Sequence, residues 1–258
     1  MKILALDTTT RAGSVALVVD GRVVDERAGD ASRSHAERLP GEIVALAAAH
    51  DLAIADVDLF AVASGPGSFT GLRIGIATMQ GLAFVHRRPL AGVPALDALA
   101  QRGSEGLAAG TIVAAWMDAH RREVFAALYR VEDGRGVDRA ASPRPVELVE
   151  IEGPTAGAPD VTLARWRASG SGADVFIGDG AVMYADAIGH VAPQARVIPL
   201  PPLAGAIGRI AEARAGRAAQ GGPSAIQPLY VRRPDVEIAR DEKLRRGPPG
   251  PRDTFRGV

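Results

Sequence analysis

The chain has 258 residues, of which 47% are hydrophobic, so it is long and apolar enough for one large domain or two of ordinary size with ample core. Thirty basic residues balance thirty acidic ones, which excludes a global field drawing the chain to nucleic acid or membrane. The absence of cysteine excludes disulfides and thiolate metal sites and suits a reducing compartment. The N-terminus reaches Asp7 too early for a signal peptide, and no apolar run approaches the roughly 18 residues of a membrane span. The expectation is a soluble cytoplasmic protein with no membrane contact.

In chain order, Lys2 to Leu6 reads as an apolar strand ending at Asp7-Thr8-Thr9-Thr10. Gly13 to Val19 is a second strand, Asp20-Gly21 a hairpin signal, and Arg22 to Arg27 a third strand. Ser32 to His50 reads as a helix with Leu39, Ile43, Leu46 and Ala47 on one face, and Pro40 either kinks it or marks its first turn. Val57 to Ala63 is a strand. A glycine-rich turn, Ser64 to Gly71, leads from it into a helix over 72 to 85. Residues 90 to 102 give a short strand and a helix.

After a small-residue linker over 103 to 110, the plan starts again. Thr111 to Met117 is a strand ending at Asp118, Glu123 to Arg130 a second strand, and Asp133-Gly134 another hairpin signal. The two halves thus share a strand–Asp–loop–strand–Asp-Gly order at similar spacing. From Ser142 to Gly172 no period is clear. Strands follow at 174 to 177 and 195 to 198, with helices at 181 to 188 and 201 to 215, then a small ordered segment over Gln227 to Arg233. The charged, Pro/Gly-rich stretch 240 to 258 is expected to be disordered.

The turn at 64 to 71 is neither a Walker A loop nor GxGxxG, because no Lys-Ser or Lys-Thr closes it and the glycine spacing differs. Gly65, Gly67 and Ser68 permit either a close strand–helix connection or an anion site at the helix start. The following helix carries two apolar stripes: Leu72, Ile76, Met79 and Ala83, and on the other side Ile74, Ala77, Gly81, Leu82 and Val85. One stripe can cover the helix's own sheet, and the other implies a partner. Periodicity leaves open which stripe faces outward.

The duplicated β-β-β-α-β-α plan, with an aspartate ending the first strand of each half, resembles the actin/sugar-kinase/Hsp70 ATPase superfamily. The sequence Gly65-Pro66-Gly67-Ser68-Phe69-Thr70-Gly71-Leu72-Arg73-Ile74-Gly75 carries a narrower resemblance, supported by residues 3 to 8, 34 to 40, 117 to 126 and 228 to 232. Within the superfamily the chain resembles the bacterial TsaB (YeaZ) family of tRNA threonylcarbamoyladenosine biosynthesis proteins.

The resemblance implies an α/β, actin-like (ribonuclease H-like) fold of two tandem subdomains. An N-terminal one would span 1 to 102, possibly completed by helix 201–215, and a smaller divergent one 103 to 233. It implies a non-catalytic subunit that pairs with the related catalytic subunit TsaD, joined by the small ATPase TsaE. Together these transfer threonylcarbamoyl from its adenylate to the adenosine beside the anticodon in tRNAs reading ANN codons. The chain alone would be a homodimer, and tRNA would be met indirectly, through the complex. The expected partner-binding residues are His35, Leu39, Ile43, Leu46, Leu72, Ile76, Met79 and Ala83.

The catalytic relative carries paired histidines where this chain has Ala95 and Leu99, and the five histidines here (35, 50, 86, 120, 190) are scattered, so neither a metal site nor a catalytic residue is assigned. Asp7 and Thr8, with Gly65, Gly67 and Ser68, are the candidates for residues near a nucleotide. Superfamily ATPases follow that aspartate with glycine, whereas three threonines follow it here. No cofactor is therefore expected on the chain alone, with ATP or ADP possible only at the TsaD interface. An independent actin-like kinase or ATPase is the alternative. Arg121, Arg122, Arg232 and Arg233 could contact phosphate or simply be solvated.

Overall fold

The computed structural model describes residues 1–132, 145–218 and 225–231. The Asp133-Gly134 hairpin, Arg232, Arg233 and the stretch 240–258 lie outside these residues.

The first half forms a five-stranded sheet in the order β3-β2-β1-β4-β5, from β1 (Lys2–Asp7), β2 (Ser14–Val19), β3 (Arg22–Ala28), β4 (Leu59–Gly65) and β5 (Leu90–Pro94). β1 runs antiparallel to β2 and parallel to β4, which is parallel to β5. The β2–β3 hairpin turns at Asp20 and Gly21, both with positive φ (48° and 76°), the signature of a two-residue primed turn that follows the strands' twist. The helices of this half are α1 (His35–Ala48), α2 (Phe69–His86) and α3 (Ala95–Gly103).

The second half repeats the arrangement. Its sheet has the order β10-β9-β6-β7-β8, from β6 (Ile112–Asp118), β7 (Val124–Val131), β8 (Leu148–Gly157), β9 (Val175–Ile177) and β10 (Arg196–Ile198). Helices α4 (Pro159–Ala168), α5 (Asp179–Met183), α6 (Ala185–Val191) and α7 (Ala204–Ala218) complete it. The fold is actin-like, with a mixed sheet in each half.

The stretch before Gly172, where no period is clear, holds β8 and α4, the third strand and following helix that the duplicated plan calls for. Two sequence expectations are corrected. The single helix expected over 181–188 is two short ones, α5 and α6, meeting at Tyr184. Pro40 falls in the second turn of α1, which continues through it from a start at Ser34, where the Glu37 carboxylate accepts from the Ser34 amide at 2.9 Å.

Three buried clusters explain the layering. Between the sheets, α3 and α7 are packed by the inner faces of both, from Ile3, Ala5 and Val18 on one side to Val113, Ala115 and Ile177 on the other. Alanine on those faces lets the helices sit close. Helix α7 returns to the first sheet, where the Ser14 hydroxyl accepts from the amides of Leu203 and Ala204, and the Glu26 carboxylate from Gly205. Outside the first sheet, α1 and α2 cover Leu4, Leu6, Val15, Phe60 and Val62. Outside the second, Trp116, Trp166 and Phe176 form an aromatic cluster, with an edge-on contact of 5.3 Å between Trp116 and Phe176.

Candidate functional site

The aspartates ending β1 and β6 occupy equivalent positions in the two sheets, where β1 pairs with β2 up to Asp7–Ser14 and β6 with β7 up to Asp118–Val124. Asp7 is buried, and one of its carboxylate oxygens accepts from both the amide (2.8 Å) and the hydroxyl (2.6 Å) of Thr9. Burial pushes its pKa up, the Thr9 bonds oppose this, and the negative charges of Glu26 and Asp179 add to the rise. In the second half, Asp118 accepts from the amide of His120 (2.8 Å), and Asp179 accepts from the amide of Asp118 (3.0 Å). Both aspartates thus fold back on their own turns.

Asp7, Gly67 and Ser68 meet at Thr9 and Thr8 lies against α2, whereas Gly65 lies against Leu229 and Leu72. The Ser68 amide donates to the Thr9 carbonyl at 2.7 Å, and a Cβ on Gly67 would stand 2.5 Å from the Thr9 Cβ. Gly71 and Gly75 let α2 lie against Thr8, whose carbonyl and hydroxyl oxygens occupy the space of the missing side chains. At the helix start, the Ser68 hydroxyl accepts from the Gly71 amide and the Ser68 carbonyl from the Leu72 amide. The amides of Ser68 and Gly71 are therefore engaged within the chain.

The partner-binding assignments on α1 and α2 are corrected. Leu39, Ile43 and Leu46 of α1, and Ile76, Met79 and Ala83 of α2, are at most 4% exposed and fill the core over the first sheet, and Leu72 is buried beside Gly65. The opposite face is open. On α1 it presents Gly41, Val44 (62% exposed), Ala45 and Ala48, and on α2 Arg73, Ala77, Gly81, Phe84 (79%) and Val85 (71%). Nothing lies within 4 Å of where a side chain would start at Gly41 or Gly81. Of the second stripe read from sequence, Ala77, Gly81 and Val85 are exposed, while Ile74 and Leu82 are half-buried. Periodicity did not single out Val44 and Phe84.

His35 is buried too. Its Nε2–H donates to the Thr10 carbonyl (2.9 Å), and Nδ1 accepts from the Arg38 guanidinium (2.8 Å), which fixes the neutral tautomer. Arg38, itself buried, also donates to the Ala12 carbonyl and pairs with Glu42 at 2.7 Å. This network ties the first turn of α1 to the β1–β2 loop.

Residues 225–231 cross the start of α2. The Leu229 amide donates to the Ser64 carbonyl (2.6 Å), and the Gln80 side-chain amide to the Ile226 carbonyl (3.1 Å). Tyr230 stacks on Phe69 at 5.3 Å, and the Arg73 guanidinium sits 4.0 Å over the Phe69 ring. Leu229 and Tyr230 thereby extend the open face of α2. Among the described residues, no group of three acidic or histidine side chains is placed to hold a metal ion.

Residues 28–185 match the family model described as TsaD: tRNA N6-adenosine threonylcarbamoyltransferase. The chain is 38% identical over 133 residues to the tRNA threonylcarbamoyladenosine biosynthesis protein TsaB of Escherichia coli K12, covering 52% of this chain and 57% of that protein. It is 40% identical over 127 residues to TsaB of Haemophilus influenzae, covering 48% and 52%. The match therefore spans about half the length of these curated relatives. A Pseudomonas aeruginosa crystal structure, described as an uncharacterized protein with similarity to peptidase YEAZ, superposes with a TM-score of 0.70 at 31% identity, covering 90% of this chain and 99% of that one. The chain belongs to the TsaB (YeaZ) family. A second structure, YeaZ from Pseudomonas aeruginosa, gives 0.68 at 29% identity over 89% and 99%.

The glycine sequence from Gly65 to Gly75 has a packing role in this chain. It brings α2 down onto the threonine loop and so sets the height of the open α1–α2 face.

Proposed function

We propose that the chain is an accessory, non-catalytic subunit in tRNA threonylcarbamoyladenosine biosynthesis that docks a related, catalytic TsaD-type subunit through the open face of α1 and α2. The observation that carries this reading is the exposure of Val44, Phe84 and Val85, with the bare positions Gly41 and Gly81 between and beside them. Water-exposed aromatic and branched side chains around notches that admit a second backbone fit another helix pair. A subunit of the same fold presents such a pair, so the contact would be a four-helix packing. The same face would mediate self-association when the partner is absent. TsaE would join the assembly of this chain with TsaD, and the product would be the threonylcarbamoylated adenosine 3′ of the anticodon in tRNAs reading ANN codons.

The residues here do not fit a nucleotide bound by this chain alone. Asp7 is turned onto Thr9, the glycine turn is closed onto Thr8 and Thr9, and the Ser68 and Gly71 amides at the helix start have partners within the chain. Ala95 and Leu99, in place of the relative's histidines, are wholly buried between the sheets. These features support an accessory role, in which an ATP or ADP at the TsaD interface would take its phosphate contacts from the partner.

Phe84→Glu tests the reading. A charge placed on the open face should abolish co-purification with the TsaD-type subunit while circular dichroism and melting of the isolated chain stay as in the parent. Undiminished co-purification would sink the proposed face.

A further inference from the structure

We infer that the β6–β7 loop, His120-Arg121-Arg122, contacts the phosphate backbone of RNA, so that this chain touches the tRNA itself as well as the subunit that modifies it. The inference rests on the pathway assignment above for the identity of the RNA.

Its starting point is a backbone outlier. His120, Arg121 and Arg122 have φ of 58°, 54° and 63°, three successive left-handed residues, none of them glycine. Residues other than glycine enter this region seldom, and then singly. The turn is nonetheless well fixed. The Ala119 amide donates to the Glu123 carbonyl (3.0 Å) and the Glu123 amide to the His120 carbonyl (2.9 Å). Below them, the bonds from His120 to Asp118 and from Asp118 to Asp179 pin the base. The equivalent loop of the first half uses a glycine, Gly13, for its left-handed residue and tucks Thr8 and Thr9 inside. The fold therefore does not require bulky cations at such positions. Glycine or asparagine would make the turn with less strain, and strain kept at bulky side chains points to use of those side chains.

The loop presents two guanidinium groups beside an imidazole, whose Nδ1 lies 3.1 Å from the Asp118 carboxylate. His120, Arg121 and Arg122 are exposed, whereas Asp118 and Glu123 are half-buried at the strand ends. The flanking apolar residues, Ala119 and Val124, are buried, so the loop offers no apolar anchor of the kind a peptide partner uses. Guanidinium groups on a fixed turn suit phosphate oxygens, which position RNA without reading its sequence. The chain as a whole is neutral, so any such attraction has to be local.

The test is Arg121→Asn together with Arg122→Asn in the full chain, with fluorescein-labelled tRNA transcript followed by anisotropy, on the chain alone and in complex with the TsaD-type subunit. Loss of two phosphate contacts should weaken binding about tenfold and make the log–log salt dependence shallower by about two. Asparagine tolerates the left-handed region, so the melting temperature should be unchanged or higher. Arg121→Lys with Arg122→Lys, which keeps both charge and strain, should retain most of the affinity. Parental RNA affinity in the asparagine variant overturns the inference, as does equal loss in the lysine variant or equal binding of polyglutamate by the parent. Co-purification with the TsaD-type subunit is expected to survive these changes, because the loop belongs to the second sheet and the docking helices to the first. A failed RNA contact with an intact complex therefore leaves the docking proposal standing, and Phe84→Glu separates the two in the other direction.

Discussion

At His35 a single proton has a defined effect. Burial lowers the pKa of the ring, with the neighbouring Arg38 charge acting the same way and the Thr10 bond and Glu42 opposing. The neutral ring is the folded form, since Nδ1 must accept from Arg38. A depressed folded pKa means that the stabilisation is fully present above the unfolded value of about 6.5 and is lost as pH falls through the folded value. The urea midpoint should drop between about pH 7 and 5, and His35→Gln, which keeps a donor and an acceptor, should flatten that limb. Equal slopes in the two proteins would count against the network. Glycines on α2 give a second contrast. Alanine in a helix interior is favoured over glycine by about 1 kcal/mol, but at Gly75 its Cβ would run into Thr8, which is buried and cannot retreat. Overpacking of about 1–3 kcal/mol should win, so Gly75→Ala destabilises. Gly81→Ala, with open space around it, should stabilise the isolated chain by up to about 1 kcal/mol. Opposite signs in paired denaturant melts are the expected result.

At the scale of elements, α2 marks where sequence legibility stops. The hairpin at Asp20-Gly21, the strands of the first sheet, the α1 and α2 helices and the strand-end aspartates could be read from period and turn chemistry alone. Which side of α2 looks outward could not, because apolar residues lie on both sides and a 3.6-residue period is blind to bulk. Leu72, Ile76 and Met79 go inward, while Phe84 and Val85, equally apolar, stay out. Strand β8 was missed for a related reason. It is an edge strand with Val149 and Ile151 40% and 37% exposed, so its sequence shows no buried run. The threonine loop under the glycine turn could not be seen either, since that contact joins residues some 60 apart. Met79→Glu follows from the corrected orientation. A carboxylate at this wholly buried position should cost roughly 3–5 kcal/mol and unfold or strongly destabilise the isolated chain. A soluble Met79→Glu chain with parental melting but no affinity for the partner would return that stripe to the outside.

For the whole molecule, the expectation concerns division of labour. Purified alone, the chain should turn over negligible ATP and leave tRNA unmodified. Added to TsaD- and TsaE-type subunits with threonylcarbamoyl adenylate and tRNA, it should raise threonylcarbamoyladenosine formation, as read by nucleoside mass spectrometry. Robust ATPase activity of the chain alone, lost in Asp7→Ala, would favour an independent enzyme instead.

The middle layer of helices bears on how the protein comes into being. The first sheet is complete once residue 94 has been made, yet its inner face is closed partly by Leu203, Ala206, Ile207 and Ile210. During translation that face must wait for about a hundred further residues to leave the ribosome. Until then only α3 shields it, and the nascent first half carries an exposed greasy surface on its inner side as well as on α1 and α2. Of the two, only the inner one is closed by α7.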